Sequence, residues 1–188
     1  MSKNYQVLNV REAKERVNQN INEMNERLND LIGSASQKST LRNIEAYEFT
    51  LKLLNALNDE IILEIPANKS NGLNVGAVGE VAVKHFITGD TELSMATSNQ
   101  NDIDRVRMNE VKVWSSVNRN PNALNDPYGF IAVSRNGVHY ITKRIIEKYW
   151  NEFSDKNGKK SISRKMLETI LEVEQPNRLK MLSEKLGL

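Results

Sequence analysis

Residues 101–114 read Asn-Asp-Ile-Asp-Arg-Val-Arg-Met-Asn-Glu-Val-Lys-Val-Trp. The run divides into two short extended pieces, about Asp102–Val106 and Met108–Trp114. Side chains alternate between the two faces of a strand, so Glu110 and Lys112 share one face while Val111 and Val113 share the other. The valines can anchor the strand in a core while the glutamate and the lysine look into a cleft. Asp102 precedes Glu110 by one short reverse of the chain, and a bend there brings the two carboxylates together. Two carboxylates converging on one point repel unless a cation lies between them. A divalent ion with oxygen ligands suits that position, and Mg²⁺ keeps several waters while held by one or two carboxylates. Such an ion polarises a phosphoryl oxygen and activates water. Lys112 is a compact cation able to orient the water or to offset charge gathering in the transition state. An acid-x-Lys triplet alone says little, because exposed strands often alternate Glu and Lys as a solvated face. Here the triplet lies between apolar residues, an acid sits upstream after a turn, and a helix carrying Glu80 comes just before.

Upstream of this stretch, Gly79 or Glu80 opens a helix, GEVAVKHFIT, that Gly89 ends. From Glu92 the period is that of a strand, with Leu93, Met95 and Thr97 alternating with Ser94 and Ala96. Downstream, Ser115–Pro127 is a polar loop, and Tyr128–Val133 is an apolar run of the kind buried inside a sheet. An Arg135-Asn136-Gly137 turn leads to Val138–Ile141 and makes a hairpin of the two segments. Thr142 is an N-cap for the helix KRIIEKYWNEF. A turn at Asp155–Gly158, a helix from about Ser163 to Glu174, a break at Pro176 and a short C-terminal helix complete the chain.

The N-terminal part is helical. Val10, Val17, Met24 and Leu31, with Ile21 and Leu28 between them, form a heptad-like seam over Asn9–Ile32 that Lys14 interrupts. Gly33-Ser34-Ala35-Ser36 stops this helix, and Ser39 or Thr40 caps a second one that runs to about Asn58 and buries Leu41, Ile44, Tyr47, Leu51 and Leu54. In the resulting αα-hairpin either both helices pack on the core or the apolar seam is a homodimer interface. Pro66–Gly79, rich in Gly, Asn and Ser, reads as a loop and a boundary. The expected organisation is an N-terminal helical hairpin over residues 1–66 and a core over 67–188. The fold class is α/β, a mixed central sheet flanked by helices.

Composition narrows the chemistry. The 188 residues include 26 Lys and Arg against 24 Asp and Glu, a net charge of +2 that is compatible with nucleic acid without demanding it. The absence of Cys excludes disulfides, thiolate metal sites and cysteine nucleophiles, and only His85 and His139 are available for a histidine zinc site. Any metal is therefore a hard cation on oxygen ligands. No apolar run reaches the roughly 18 residues of a membrane span, and the N-terminus lacks a signal-peptide core, so a cytoplasmic protein without membrane partners is expected. No P-loop, dinucleotide fingerprint or serine elbow is present.

The order helix, strand, Asp, strand, Glu-x-Lys, strand resembles the PD-(D/E)XK nuclease superfamily, in particular its type II restriction endonucleases. The resemblance rests on GEVAVKHFITG, the Asn101-Asp102 pair, Glu110-Val111-Lys112 and the strand–turn–strand–helix layout of YGFIAVSRNGVHYITKRIIEKYW, and it covers roughly Gly79–Glu174. It implies a restriction-endonuclease-like sheet and Mg²⁺-dependent hydrolysis of double-stranded DNA at a short palindromic site by a homodimer. On this resemblance Asp102 matches the first metal-binding acid, Glu110 the second and Lys112 the catalytic lysine. The carbonyl of Val111 becomes a further metal ligand, and Glu80 matches a helix glutamate that supports the site. Asp104 competes with Asp102, and Glu80 also reads as a first-turn acid favoured by the helix dipole.

Several polar residues have two readings. Ser116, Asn118, Arg119 and Asn120 occupy the segment after the lysine, where Arg suits guanine and Asn suits adenine, or they form an ordinary polar loop. Lys69, Asn71 and Asn74, beside Gly72 and Gly76, either approach phosphate before the third helix or belong to a flexible connection. Lys156, Lys159, Lys160, Arg164 and Lys165 are a basic cluster that contacts backbone phosphates or forms a solvated turn. His139 reads as structural, and Trp114 and Trp150 as packing residues. Two other functions fit the sequence: a structure-specific, repair or phage nuclease of the same fold, and a non-catalytic helical dimerisation protein.

Overall fold

The computed structural model describes residues 5–33, 35–66, 73, 75–94, 105–106, 109–113, 118–119, 129–149, 152, 154–156, 159–162 and 164–188. The chain opens with a strand, β1 (Tyr5–Asn9), followed by the helices α1 (Val10–Asp30) and α2 (Ala35–Asn55). Asn9 starts α1 with a capping box: its side chain accepts from the Glu12 N–H while the Glu12 carboxylate accepts from the Asn9 N–H. The apolar seam of α1 lies against α2, with Val10, Ala13 and Val17 buried and Ile21 and Met24 half-buried on the core. Lys14, which breaks the heptad pattern, forms an ion pair with Asp59 at 2.6 Å. In α2, Ile44, Tyr47 and Leu54 are buried as expected and Leu51 is half-buried, but Leu41 is 42% exposed. It belongs to the second turn of α2, and Ile32, just past the end of α1, is 78% exposed.

Several elements depart from the sequence reading: β1 is a strand it did not expect, and α2 begins at Ala35, ahead of the predicted caps Ser39 and Thr40. A second strand, β2 (Ile62–Pro66), pairs antiparallel with β1 and parallel with β3 (Glu92–Ser94). The connecting helix, α3, spans Val75–Thr88 and so begins four residues before the predicted Gly79. The Gly- and Asn-rich stretch looks like a loop, yet Gly76, Ala77 and Gly79 are buried. Small side chains let a helix come close to its neighbours, and that packing offsets the poor helix propensity of glycine.

The remaining strands are β4 (Arg105–Val106), β5 (Asn109–Val113), β6 (Asn118–Arg119), β7 (Gly129–Ser134), β8 (Gly137–Thr142), β9 (Ser154–Lys156), β10 (Lys159–Ile162) and β11 (Asn177–Arg178). The remaining helices are α4 (Lys143–Tyr149), α5 (Arg164–Glu174) and α6 (Lys180–Lys185). A five-stranded sheet in the order β11-β8-β7-β5-β4 is mixed: β5 and β7 are parallel and the other pairs antiparallel. Its odd positions Ile131 and Val133, with Val138, join the main core, which also holds residues of α1, α2, β2, α3, β3 and α6. The residues on either side of position 66 thus share one core. On the opposite face Ala132 and Ile141 pack with Ile146, Tyr149, Leu167 and Ile170 of α4 and α5. Glu174 at the end of α5 ties this layer together, accepting from Lys148 Nζ at 2.5 Å and from the Tyr149 hydroxyl at 2.7 Å. These two donors, Lys148 first, hold its carboxyl below the usual carboxylate range. No helix of the described residues is long and apolar enough to cross a membrane.

The β7–β8 turn ends at Gly137, whose φ of +123° is open to glycine alone. A Cβ there would also meet Arg178 Nε at 2.6 Å. Gly137→Ala is expected to destabilise the fold by about 2 kcal/mol, read as a lower midpoint in urea with an unchanged slope.

Candidate active site

The Glu-x-Lys triplet lies on β5, an interior strand of the central sheet. On one side β4 runs antiparallel, with Arg105 opposite Glu110 and Val106 opposite Asn109. On the other side β7 runs parallel, with Glu110 opposite Phe130, Val111 opposite Ile131, Lys112 opposite Ala132 and Val113 opposite Val133. Residues directly opposite each other share a face, so positions 111 and 113 fall in the row of Ile131 and Val133, the row of the main core. Positions 110 and 112 fall in the other row, with Phe130 and Ala132. The reversal expected between the two extended pieces is present, because β4 and β5 are joined by residues 107–108.

Asp102 and Asp104 lie outside the described residues, as do Lys69, Asn71, Asn74, Ser116 and Asn120. For Glu110, Val111, Lys112, Asn118 and Arg119 it is the backbone that is described. Among the described residues no group of three or more His, Asp or Glu is arranged to hold a metal ion. Asp102, Glu110 and the Val111 carbonyl, if brought together, would offer oxygen donors alone, which suit Mg²⁺ rather than a soft metal.

Glu80 changes its reading. Because α3 begins at Val75, Glu80 lies in the middle of the helix and not in its first turn, where the dipole would favour it. From Val75 to Val83 every other residue is buried, and Glu80 alone is half-buried. A carboxylate in such a run is costly to desolvate and calls for a polar or ionic environment. The helix that carries it lies against β5 and β4.

Sequence reading gave His139 no functional role. It stands on β8 opposite Ala132, with Arg178 of β11 opposite it on the other side. Positions 112, 132, 139 and 178 therefore form one line across four strands, and 112 and 139 are about 10 Å apart, two strand spacings. His139 Nδ1 is buried with no hydrogen-bond partner among the described residues. The ring borders a cleft of about 480 Å³ lined by Ser134, Arg135, Asn136, Glu168 and Leu171. Burial, and next the positive charge of Arg178, push its pKa below the ordinary histidine value. The depressed value makes stability depend on pH with a definite sign. The unfolded chain takes up a proton near pH 6.5 while the folded ring resists it, so stability is complete above that pH and falls as pH drops towards the folded value. His139→Asn is expected to flatten the loss of melting temperature between pH 7 and pH 5.5, measured by circular dichroism.

The segment after the lysine is not only a loop. Asn118 and Arg119 form β6, which pairs with β10, and β10 pairs with β9. The turn predicted at Asp155–Gly158 is accordingly flanked by two short strands that carry Lys156, Lys159 and Lys160. This pairing joins distant segments, and no local signal in the sequence marks it. No protein-family model, no curated protein and no solved structure matches the chain.

Proposed function

We propose that the protein is a Mg²⁺-dependent endonuclease of the PD-(D/E)XK type that cleaves double-stranded DNA, acting as a type II restriction enzyme. The observation that carries the reading is the setting of Glu110-Val111-Lys112. Glu110 is paired on both sides, antiparallel with β4 and parallel with β7, Val111 and Lys112 continue the pairing along β7, and the helix bearing the half-buried Glu80 packs against this strand in the main core, on the row of positions 111 and 113. That pairing and that helix anchor the valine row, which holds Glu110 and Lys112 in register on the opposite face.

In this reading Asp102, Glu110 and the Val111 carbonyl hold the divalent ion, whose charge, when bound, stabilises the developing phosphoryl oxyanion. Lys112 positions the attacking water and offsets negative charge on the scissile phosphate. Glu80 is a positioning residue that orients this cluster through the strand beneath it. Asn118 and the neighbouring Ser116 and Asn120 supply candidate contacts to bases, while Lys69, Asn71 and Asn74 supply contacts to phosphate.

A palindromic site asks for a two-fold protein, and the proposed homodimer pairs through the tip of the α1–α2 hairpin. Ile32 and Leu41 are exposed there. Glu23, Glu26 and Asp30 of α1 and Lys38 and Arg42 of α2 offer opposite charges that an isologous contact would bring together. Ile32→Glu combined with Leu41→Glu is expected to halve the mass measured by sedimentation equilibrium without changing helix content.

The deciding test of activity is incubation of the pure protein with plasmid DNA, with Mg²⁺ and then with EDTA. Discrete bands that vanish on chelation are expected. Cutting confined to junctions would move the protein to structure-specific nucleases, and no cutting with any divalent ion would end the enzymatic reading.

A further inference from the structure

The sheet β6-β10-β9 brings together two polar runs that are distant in sequence. In its ladder Arg119 is opposite Ser161, Ser161 opposite Ser154, and Lys159 opposite Lys156. The next positions pair Asn118 with Ile162 and Lys160 with Asp155. Opposite residues share a face, and so do residues two apart on one strand. One face therefore takes positions Arg119, Ser154, Lys156, Lys159 and Ser161. The other takes Asn118, Asp155, Lys160 and Ile162.

The two faces differ in chemistry. The first has three cationic residues and two hydroxyl residues, and no carboxylate among the described positions. The second is mixed and holds one acid and one large apolar residue. Like charges directly opposite destabilise a strand pair, and Lys156 faces Lys159 in that way across β9 and β10. An anion lying over this face removes the penalty, and repeated phosphates match a row of cations and hydroxyls.

We propose that the Arg119–Lys156–Lys159 face of this sheet is a docking surface for the sugar-phosphate backbone of a DNA duplex. The proposal deepens the nuclease reading above by adding a substrate-holding surface outside the metal site, and it rests on that reading for the identity of the polyanion.

The test is binding of a fluorescent 30-base-pair duplex to the full-length protein in EDTA, followed by anisotropy over a range of salt concentrations. Each lost phosphate contact lowers the slope of log K against log salt by about 0.9. The triple variant Arg119→Ala, Lys156→Ala, Lys159→Ala is expected to lower the slope by between about 2 and 3. Its affinity near 0.1 M salt should fall on the order of a hundredfold. Lys160→Ala removes the same charge from the opposite face of the same strand, and is expected to leave the slope unchanged. An unchanged slope in the triple variant, or an equal loss in Lys160→Ala and Lys159→Ala, overturns the proposal. Because no metal is present and no cleavage is read, the outcome is independent of the catalytic assignment, which fails instead if the wild-type protein binds this duplex yet never cuts DNA with Mg²⁺.

Discussion

Lys112→Ala is expected to lose plasmid cleavage by at least about a hundredfold, the usual cost of removing one preorganised group that stabilises transition-state charge. Glu110→Ala and Asp102→Ala should lose as much, because each removes an oxygen ligand from the proposed ion. The comparison of Asp102→Asn with Asp104→Asn decides which aspartate is the first acid, since only the true ligand should need raised Mg²⁺ for residual activity. Duplex binding in EDTA is expected to survive all of these changes, which separates lost chemistry from lost folding. Cleavage retained in Lys112→Ala would remove the central residue of the mechanism. The register explains why the effect should be local. Lys112 lies opposite Ala132, a small residue at a buried position, and Val111 and Val113 fall in the core row. Truncating position 112 therefore leaves the strand anchored.

What the sequence made legible was what local pattern encodes. The alternation of Glu110, Val111, Lys112 and Val113 marks β5, and the flanking Asn9 and Asp30 bracket the long helix that the apolar seam predicts. The Gly137 turn joins two runs that do form a hairpin. The missed elements depend on partners far away in the chain. Residues 5–9 and 62–66 are short and carry little signal, and they become strands because Tyr5 pairs with Pro66 and Leu63 with Leu93. The first turn of α3 was hidden by Gly76 and Gly79, whose helical state comes from burial and not from propensity. The same limit applies to the candidate site. The acid-x-Lys spacing is local and readable, whereas the line from position 112 through Ala132 to His139 exists only once three strands are in register. The basic face of the small sheet is likewise a product of pairing, since Arg119 and Lys159 stand far apart in the chain.

Leu53→Ala is expected to cost about 3 kcal/mol, within the usual range for a buried leucine that leaves a cavity. Leu53 is 0% exposed and belongs to the core that α2 shares with α3, β7 and β8. For a chain of this size a loss of that order lowers the melting temperature by roughly 6–12 °C. The sharper expectation concerns cooperativity. Both tryptophans, Trp114 and Trp150, follow residue 66 in the sequence, while α1 and α2, which supply much of the helix, precede it. If the helical hairpin were an independent unit, Leu53→Ala would shift the far-ultraviolet circular dichroism transition and leave the tryptophan fluorescence transition in place. The shared core predicts that the two transitions coincide in the wild-type protein and move together in the variant, which is the behaviour of a single two-state unit. Separate midpoints would mean that the contacts across residue 66 are too weak to couple the two parts. A dimer built on the hairpin tip could not then hold two copies of β5 at a fixed distance on one duplex. Coincident midpoints make the hairpin a rigid arm of the sheet, the mechanical condition for a two-fold enzyme that cuts both strands of one site.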